Sequence, residues 1–288
     1  MILAMPQRLE QIRAEALQQG FPADDVDRWI ASAVPRGSLT ADGDGPVVGR
    51  FGGTAMVPPG TRVTGNPLIA TIDLAALPRE ATDLPLPSDG QLLLFGYPEG
   101  DNHYTQGSAL YIPAGVAVEE VPKAEEEKVA EEEGEEEEED EEDEEDEEFL
   151  QVCQDFPQGD IHLTINVSLP LHTPEHLNPE LIAHWQSKAN ARTEWGDMQI
   201  GGYATAVDYG GNDGPLGVVA RYAAKAERAG NWHGPSPSPH AEDWVLLAEY
   251  LCSSEMRPSG AALYWGIQRD DLAAQRFHGV YAVVDWNP

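Results

Sequence analysis

Basic residues, cysteines and long apolar runs are all scarce in this chain, and each scarcity closes off a class of function. Its 288 residues hold 17 Lys and Arg against 51 Asp and Glu, a formal net charge of −34. Gripping a nucleic-acid backbone requires clustered Lys and Arg, so direct nucleic-acid binding is not expected. The two cysteines, Cys153 and Cys252, form no C-x-x-C pair, and Met1 to Pro6 has neither the basic start nor the apolar stretch of an export signal. The expected setting is therefore reducing and cytoplasmic. Pro, Gly or charged residues break every apolar stretch before the roughly 18 residues of a spanning helix, so membrane insertion is not expected.

Reactive strings are missing as well. There is no Gly-x-Ser-x-Gly elbow and no cysteine in a recognisable catalytic string, so the activated nucleophile of a hydrolase has no candidate. Gly210-Gly-Asn-Asp-Gly214 lacks the Lys-Ser/Thr of a phosphate loop, and no cofactor is expected. His172-Thr-Pro-Glu-His176 fits an inverted zinc-protease string, but Pro170 and Pro174 argue against the continuous helix that would aim both imidazoles at one ion. A looser set drawn from His162, His172, His176 and His184 is outweighed by ordinary surface histidines, and no metal is expected.

What the chain does have is acid in one place. Glu119 to Glu148 holds 22 Asp and Glu and 2 Lys, supplying −20 of the charge and leaving −14 for the rest. Like charges recurring at i, i+3 and i+4 oppose a helix, and with almost nothing apolar to bury the segment is expected to stay extended and disordered. Glu135, Asp140, Asp143, Asp146 and Glu148 in its unbroken acidic run are the candidates for attracting a basic protein partner, a role weighed against a solubilising spacer and a weak, diffuse Ca²⁺ or Mg²⁺ reservoir.

On either side the pattern is that of a folded protein. Gln7 to Ala33 carries apolar residues at helical spacing around Gly20-Phe21-Pro22 and predicts two short amphipathic helices. Short apolar runs at 67–73, 91–95 and 109–112 predict strands. So does the alternation of Ile161, Leu163, Ile165, Val167 and Leu169, which predicts a strand with one wet face. Pro179 to Ala189, with Asn178 as cap, predicts a helix, and 244–250, 261–267 and 280–284 predict further strands. Phe51-Gly52-Gly53 followed by the strands at 67 and 91 parallels Ile200-Gly201-Gly202 followed by those at 244 and 261. The fold expected is α+β, antiparallel and β-rich, in two pseudo-repeated halves with a short N-terminal helical segment. The divisions are residues 1–36 (helical segment), 46–118 (first half), 119–148 (acidic insert) and 149–288 (second half), the two halves packing as one domain.

These landmarks, with Ile69-Ala-Thr-Ile-Asp73 and Leu74-Ala-Ala-Leu-Pro78, resemble the YwqG-like family, a bacterial family of unknown function, over roughly Gly49 to Trp286 excluding the acidic stretch. Family members often carry Gln in both repeated strands. Here Thr71 and Glu249 stand at those places, which marks a divergent member. The resemblance implies a fold and no reaction. By pseudo-symmetry, Asp73 and Glu249 and the Gly52-Gly53 and Gly201-Gly202 turns would border a cleft between the halves, and Trp232 stands in a loop that presents an aromatic ring. The leading expectation is a non-catalytic interaction protein that captures a basic partner; the alternative is a small-ligand binder or enzyme using that cleft.

Overall fold

The computed structural model describes residues 5–61, 63, 66–97, 107–121, 156–171, 177–189, 198–205, 214–232, 234–252 and 261–286. Glu135, Asp140, Asp143, Asp146 and Glu148 lie outside these residues, as do His172 and His176. Two helices open the chain, α1 (Met5–Gln18) and α2 (Ala23–Ile30), on either side of the Gly20-Phe21-Pro22 break. Then come strands β1 (Val34–Thr40), β2 (Val47–Phe51), β3 (Met56–Val57), β4 (Leu68–Asp73), β5 (Gln91–Gly96), β6 (Gly107–Ile112) and β7 (Glu119–Glu120). After the acidic stretch follow β8 (Gly159–Ser168), α3 (Pro179–Ala189), β9 (Met198–Ile200), α4 (Gly214–Arg228), β10 (Trp244–Cys252), β11 (Ala261–Gln268), α5 (Arg269–Ala273) and β12 (Tyr281–Trp286). Asn178 caps α3, its Oδ1 accepting the backbone N–H groups of Glu180 at 3.0 Å and Leu181 at 3.2 Å.

Ten strands make one antiparallel sheet in the order β12-β11-β10-β9-β1-β8-β2-β4-β5-β6, while β3 pairs with β7. The sheet curls until its two edge strands meet. A β-carbon on Gly107 of β6 would lie 3.1 Å from that of Ala282 on β12, and the Trp265 indole of β11 donates to the Phe95 carbonyl of β5 at 3.0 Å. Near-closure shields the edges that would otherwise pair with other chains.

Period-two alternation then serves two cores. On β11, Leu263, Trp265 and Ile267 face the interior of the curl with Phe51, Ile72, Leu94, Leu163 and Ile200, whereas Ala262 and Tyr264 face outward beneath Val218, Val219 and Ala223 of α4. A third apolar cluster joins Val26 and Trp29 of α2 to Leu181, Ile182 and Trp185 of α3.

Two features depart from the sequence pattern. The central strand β1, flanked by β8 and β9, spans a stretch with Pro35, Arg36 and Gly37 that shows no strand signal. And the side of β8 expected to be wet is covered in its second half: Asn166 and Ser168 are buried, because Ser38 of β1, Arg8 of α1 and the backbone of Tyr203 take up their polar groups.

Candidate functional site

Pairing register lines up polar residues across four neighbouring strands. Asn166 of β8 faces Arg36 of β1, Ser38 of β1 faces Gln199 of β9, and Gln199 faces Glu249 of β10. Directly paired residues share a face, so these side chains form a row on the outer side of the sheet. Arg36, Gln199 and Glu249 are only 6, 3 and 1% exposed, and burial of such groups is tolerated only when they are hydrogen-bonded. Arg36 Nη1 donates to Gln199 Oε1 at 2.9 Å, and Asn166 Nδ2 donates to Ser38 Oγ at 2.8 Å. Gln199 Nε2 donates to the Tyr203 carbonyl at 2.9 Å and the Gly201 carbonyl at 3.3 Å. Glu249 accepts both the backbone N–H of Thr205, at 3.0 Å, and its hydroxyl.

The row therefore pins the segment 201–205 that leaves β9. The segment turns sharply at Gly201 and Gly202, whose φ values are +66° and +74°, and a β-carbon on Gly201 would lie 1.8 Å from Thr82 Oγ1. Tyr203 is thereby fixed at three points: its N–H donates to Ser168 Oγ at 2.9 Å, its carbonyl accepts from Gln199, and its hydroxyl donates to the Ser32 carbonyl at 2.9 Å.

Tyr203 divides two cavities. One, of about 70 Å³, is lined by Trp29, Arg36, Ser168 and Thr205 and has room for a few waters. The other, of about 220 Å³, is a cleft whose walls come from both parts of the chain: Val34, Asp83 and Leu84 on one side, and Leu171, Gly202, Ala204, Leu216, Trp244, Leu246 and Arg269 among those on the other. The Tyr203 phenol reports on its surroundings. Its pKa is raised chiefly by burial and further by the Asp83 charge, while Arg269 opposes the rise.

The residues singled out by sequence are not gathered at this cleft. Glu249 holds Thr205, which lines the smaller cavity, while Gly202 lines the cleft itself. Asp73 is exposed at the end of β4, where its Oδ1 accepts the N–H groups of Ala75 at 2.9 Å and Ala76 at 3.4 Å. Trp232 follows α4, half-buried; its indole donates to the Pro235 carbonyl at 2.6 Å and its ring lies 5.8 Å from that of Tyr281. Gly52 and Gly53 turn the chain after β2 with φ of +60° and +83°. His162 Nδ1 lies 2.9 Å from the Gly45 carbonyl, and His184 packs on Phe21. Among the described residues no group of three or more His, Cys, Asp and Glu is placed to hold a metal ion, and no helix is long and apolar enough to cross a membrane.

Arg36, Gln199, Tyr203, Thr205, Asp83 and Arg269 were not visible as site residues in the sequence. A usable signal existed only for Tyr203, which directly follows the Gly201-Gly202 turn.

No curated protein matches the chain. A family model does, over residues 49–286, and the chain belongs to that family, which is described as a domain of unknown function (DUF1963).

Proposed function

We propose that this chain is a small-molecule-binding protein whose ligand occupies the cleft beside Tyr203. The cleft of about 220 Å³ carries the reading: it is lined from both sides of the acidic stretch, and its wall is held by the buried polar row rather than by loops alone. Rigid, hydrogen-bonded walls suit recognition because little ordering is left to be done on binding. We read the chain as a divergent YwqG-like member in two pseudo-repeated halves, with the cleft between them. The strand order supports the repeat. Exchanging β1 with β8, β2 with β9, β4 with β10, β5 with β11 and β6 with β12 returns the same order reversed. Gly52 N–H donates to the Ile69 carbonyl and Gly201 N–H to that of Leu247, at 2.9 and 3.1 Å, and each of those residues marks a bulge in its strand.

The test is native mass spectrometry of the protein purified from cells, alongside a Leu216→Trp variant that fills the cleft from the start of α4. A small molecule retained by the natural chain and lost from the folded variant is expected. A retained molecule that the variant holds equally well would place binding elsewhere. A second reading rests on charge: the segment Glu119 to Glu148, at −20, would draw a basic protein partner by long-range attraction.

A further inference from the structure

The two charged side chains that line the cleft have opposite sign. Asp83 and Arg269 are its only acidic and basic lining residues among those described, in a chain whose overall balance is −34. They do not neutralise each other. Among the described residues Asp83 takes part in no ion pair or hydrogen bond, and the guanidinium of Arg269 donates only from Nε, to the Glu242 carbonyl at 3.0 Å. Both side chains are exposed, so their charges are held at the mouth, while Leu84, Leu171, Ala204, Trp244 and Leu246 supply apolar wall. Their opposite influences on the one Tyr203 phenol put both charges within electrostatic range of the same oxygen. That hydroxyl is occupied by the Ser32 carbonyl, which leaves Asp83 and Arg269 as the groups able to meet a ligand's charge.

These features exclude much. A nucleotide or other polyphosphate needs several cations, and the lining has one. A metal ion needs three or more ligands where one carboxylate is present. The volume also falls below the roughly 300–1,000 Å³ of sites for drug-sized ligands. Resting on the cleft reading above, we propose that the ligand is a small zwitterion with an apolar side chain, an amino acid or dipeptide, its ammonium set against Asp83 and its carboxylate against Arg269.

The full-length protein is titrated with leucine, leucyl-leucine, leucinamide and N-acetylleucine, following the amide resonances of Leu84, Gly202 and Ala204 and the indole resonance of Trp244. Leucine or leucyl-leucine is expected to shift them saturably, whichever does so identifying the length accommodated. For leucine, removing either charge should weaken binding at least about tenfold, as leucinamide lacks the carboxylate and N-acetylleucine the ammonium. Asp83→Asn should remove the preference for leucine over N-acetylleucine only, and Arg269→Gln the preference over leucinamide only. For leucyl-leucine the same two variants should each weaken binding. The proposal is overturned if a single-charge analogue binds as well as the zwitterion, or if both variants leave affinity unchanged. Binding of an analogue in the cleft without the zwitterion would sink it and spare the cleft reading; no shift from any of the four would sink it and leave the cleft reading to the Leu216→Trp comparison.

Discussion

At the scale of single residues, the phenol of Tyr281 is a buried polar group left without a hydrogen bond among the described residues. Tyr281 on β12 is 2% exposed, packed under α4 against Trp232, and among the described residues its hydroxyl has no hydrogen-bond partner. Leaving such a group dry costs about 1–3 kcal/mol, so Tyr281→Phe should raise stability by about 1 kcal/mol at neutral pH. Burial, with the neighbouring Tyr222, pushes the Tyr281 pKa up to about 12 from its ordinary 10.0. The sign of the pH effect follows. Below pH 10 the phenol is protonated in both folded and unfolded chains and contributes no pH dependence. As pH rises from 10 through about 12 the unfolded chain releases its proton first, and stability is lost. Urea midpoints measured from pH 7 to 11.5 should therefore show the gap between Tyr281→Phe and the natural chain widening above pH 10. A gap that stays constant would mean the phenol titrates as it does in water.

At the scale of elements, the sheet depends on a strand that the family match does not cover. That match begins at residue 49, yet β1 (Val34–Thr40) pairs with β8 along its whole length, from Val34 opposite Ser168 to Thr40 opposite His162, and with β9 on its other side. A chain starting at residue 49 would leave β8 and β9 with unpaired, buried backbone groups, each costing as much as a lost hydrogen bond. It should fail to give a dispersed amide spectrum. One starting at residue 33 keeps β1 and loses α1 and α2, uncovering Leu181, Ile182 and Trp185. It should fold with a lowered melting temperature. If both chains fold equally well, β1 is not the centre of the sheet. What was legible here followed from signal strength. The helices α1, α2 and α3 and the strands β4, β5, β10 and β11 were found close to their bounds, because long periodic or purely apolar runs admit few readings. β1 and β9 were not. In a strand that carries Arg36, Gly37 and Ser38 inside, or one of three residues, burial is decided by partners distant in sequence, and no local pattern records it. The site shared that fate: Arg36, Gln199 and Glu249 become neighbours only through register.

At the scale of the whole molecule, charge and fold separate. The acidic stretch starts within the fold, Glu119 and Glu120 pairing with β3 and Val121 N–H donating to the Ala55 carbonyl at 2.9 Å, and the described chain resumes at Phe156, buried against Tyr250 with ring centres 5.7 Å apart. Both flanks are thus held by the folded body's own contacts, and nothing in those contacts calls on the residues between. Glu125 to Glu148 contributes 20 acidic residues and Lys128, so replacing it with a Gly/Ser run of equal length removes −19 of charge while the flanks stay joined. Melting temperature and titration of the cleft should be unchanged. Capture of a basic partner from lysate should be lost. Screening gives the accompanying signature: the Debye length falls from about 10 Å at 0.1 M salt to about 3 Å at 1 M, so retention by the natural chain should decline steeply over that range. The same partners recovered with the Gly/Ser chain would assign binding to the folded body. A fall in melting temperature on replacement would mean instead that the acidic residues help hold the sheet, which the contacts at Val121 and Phe156 give no reason to expect.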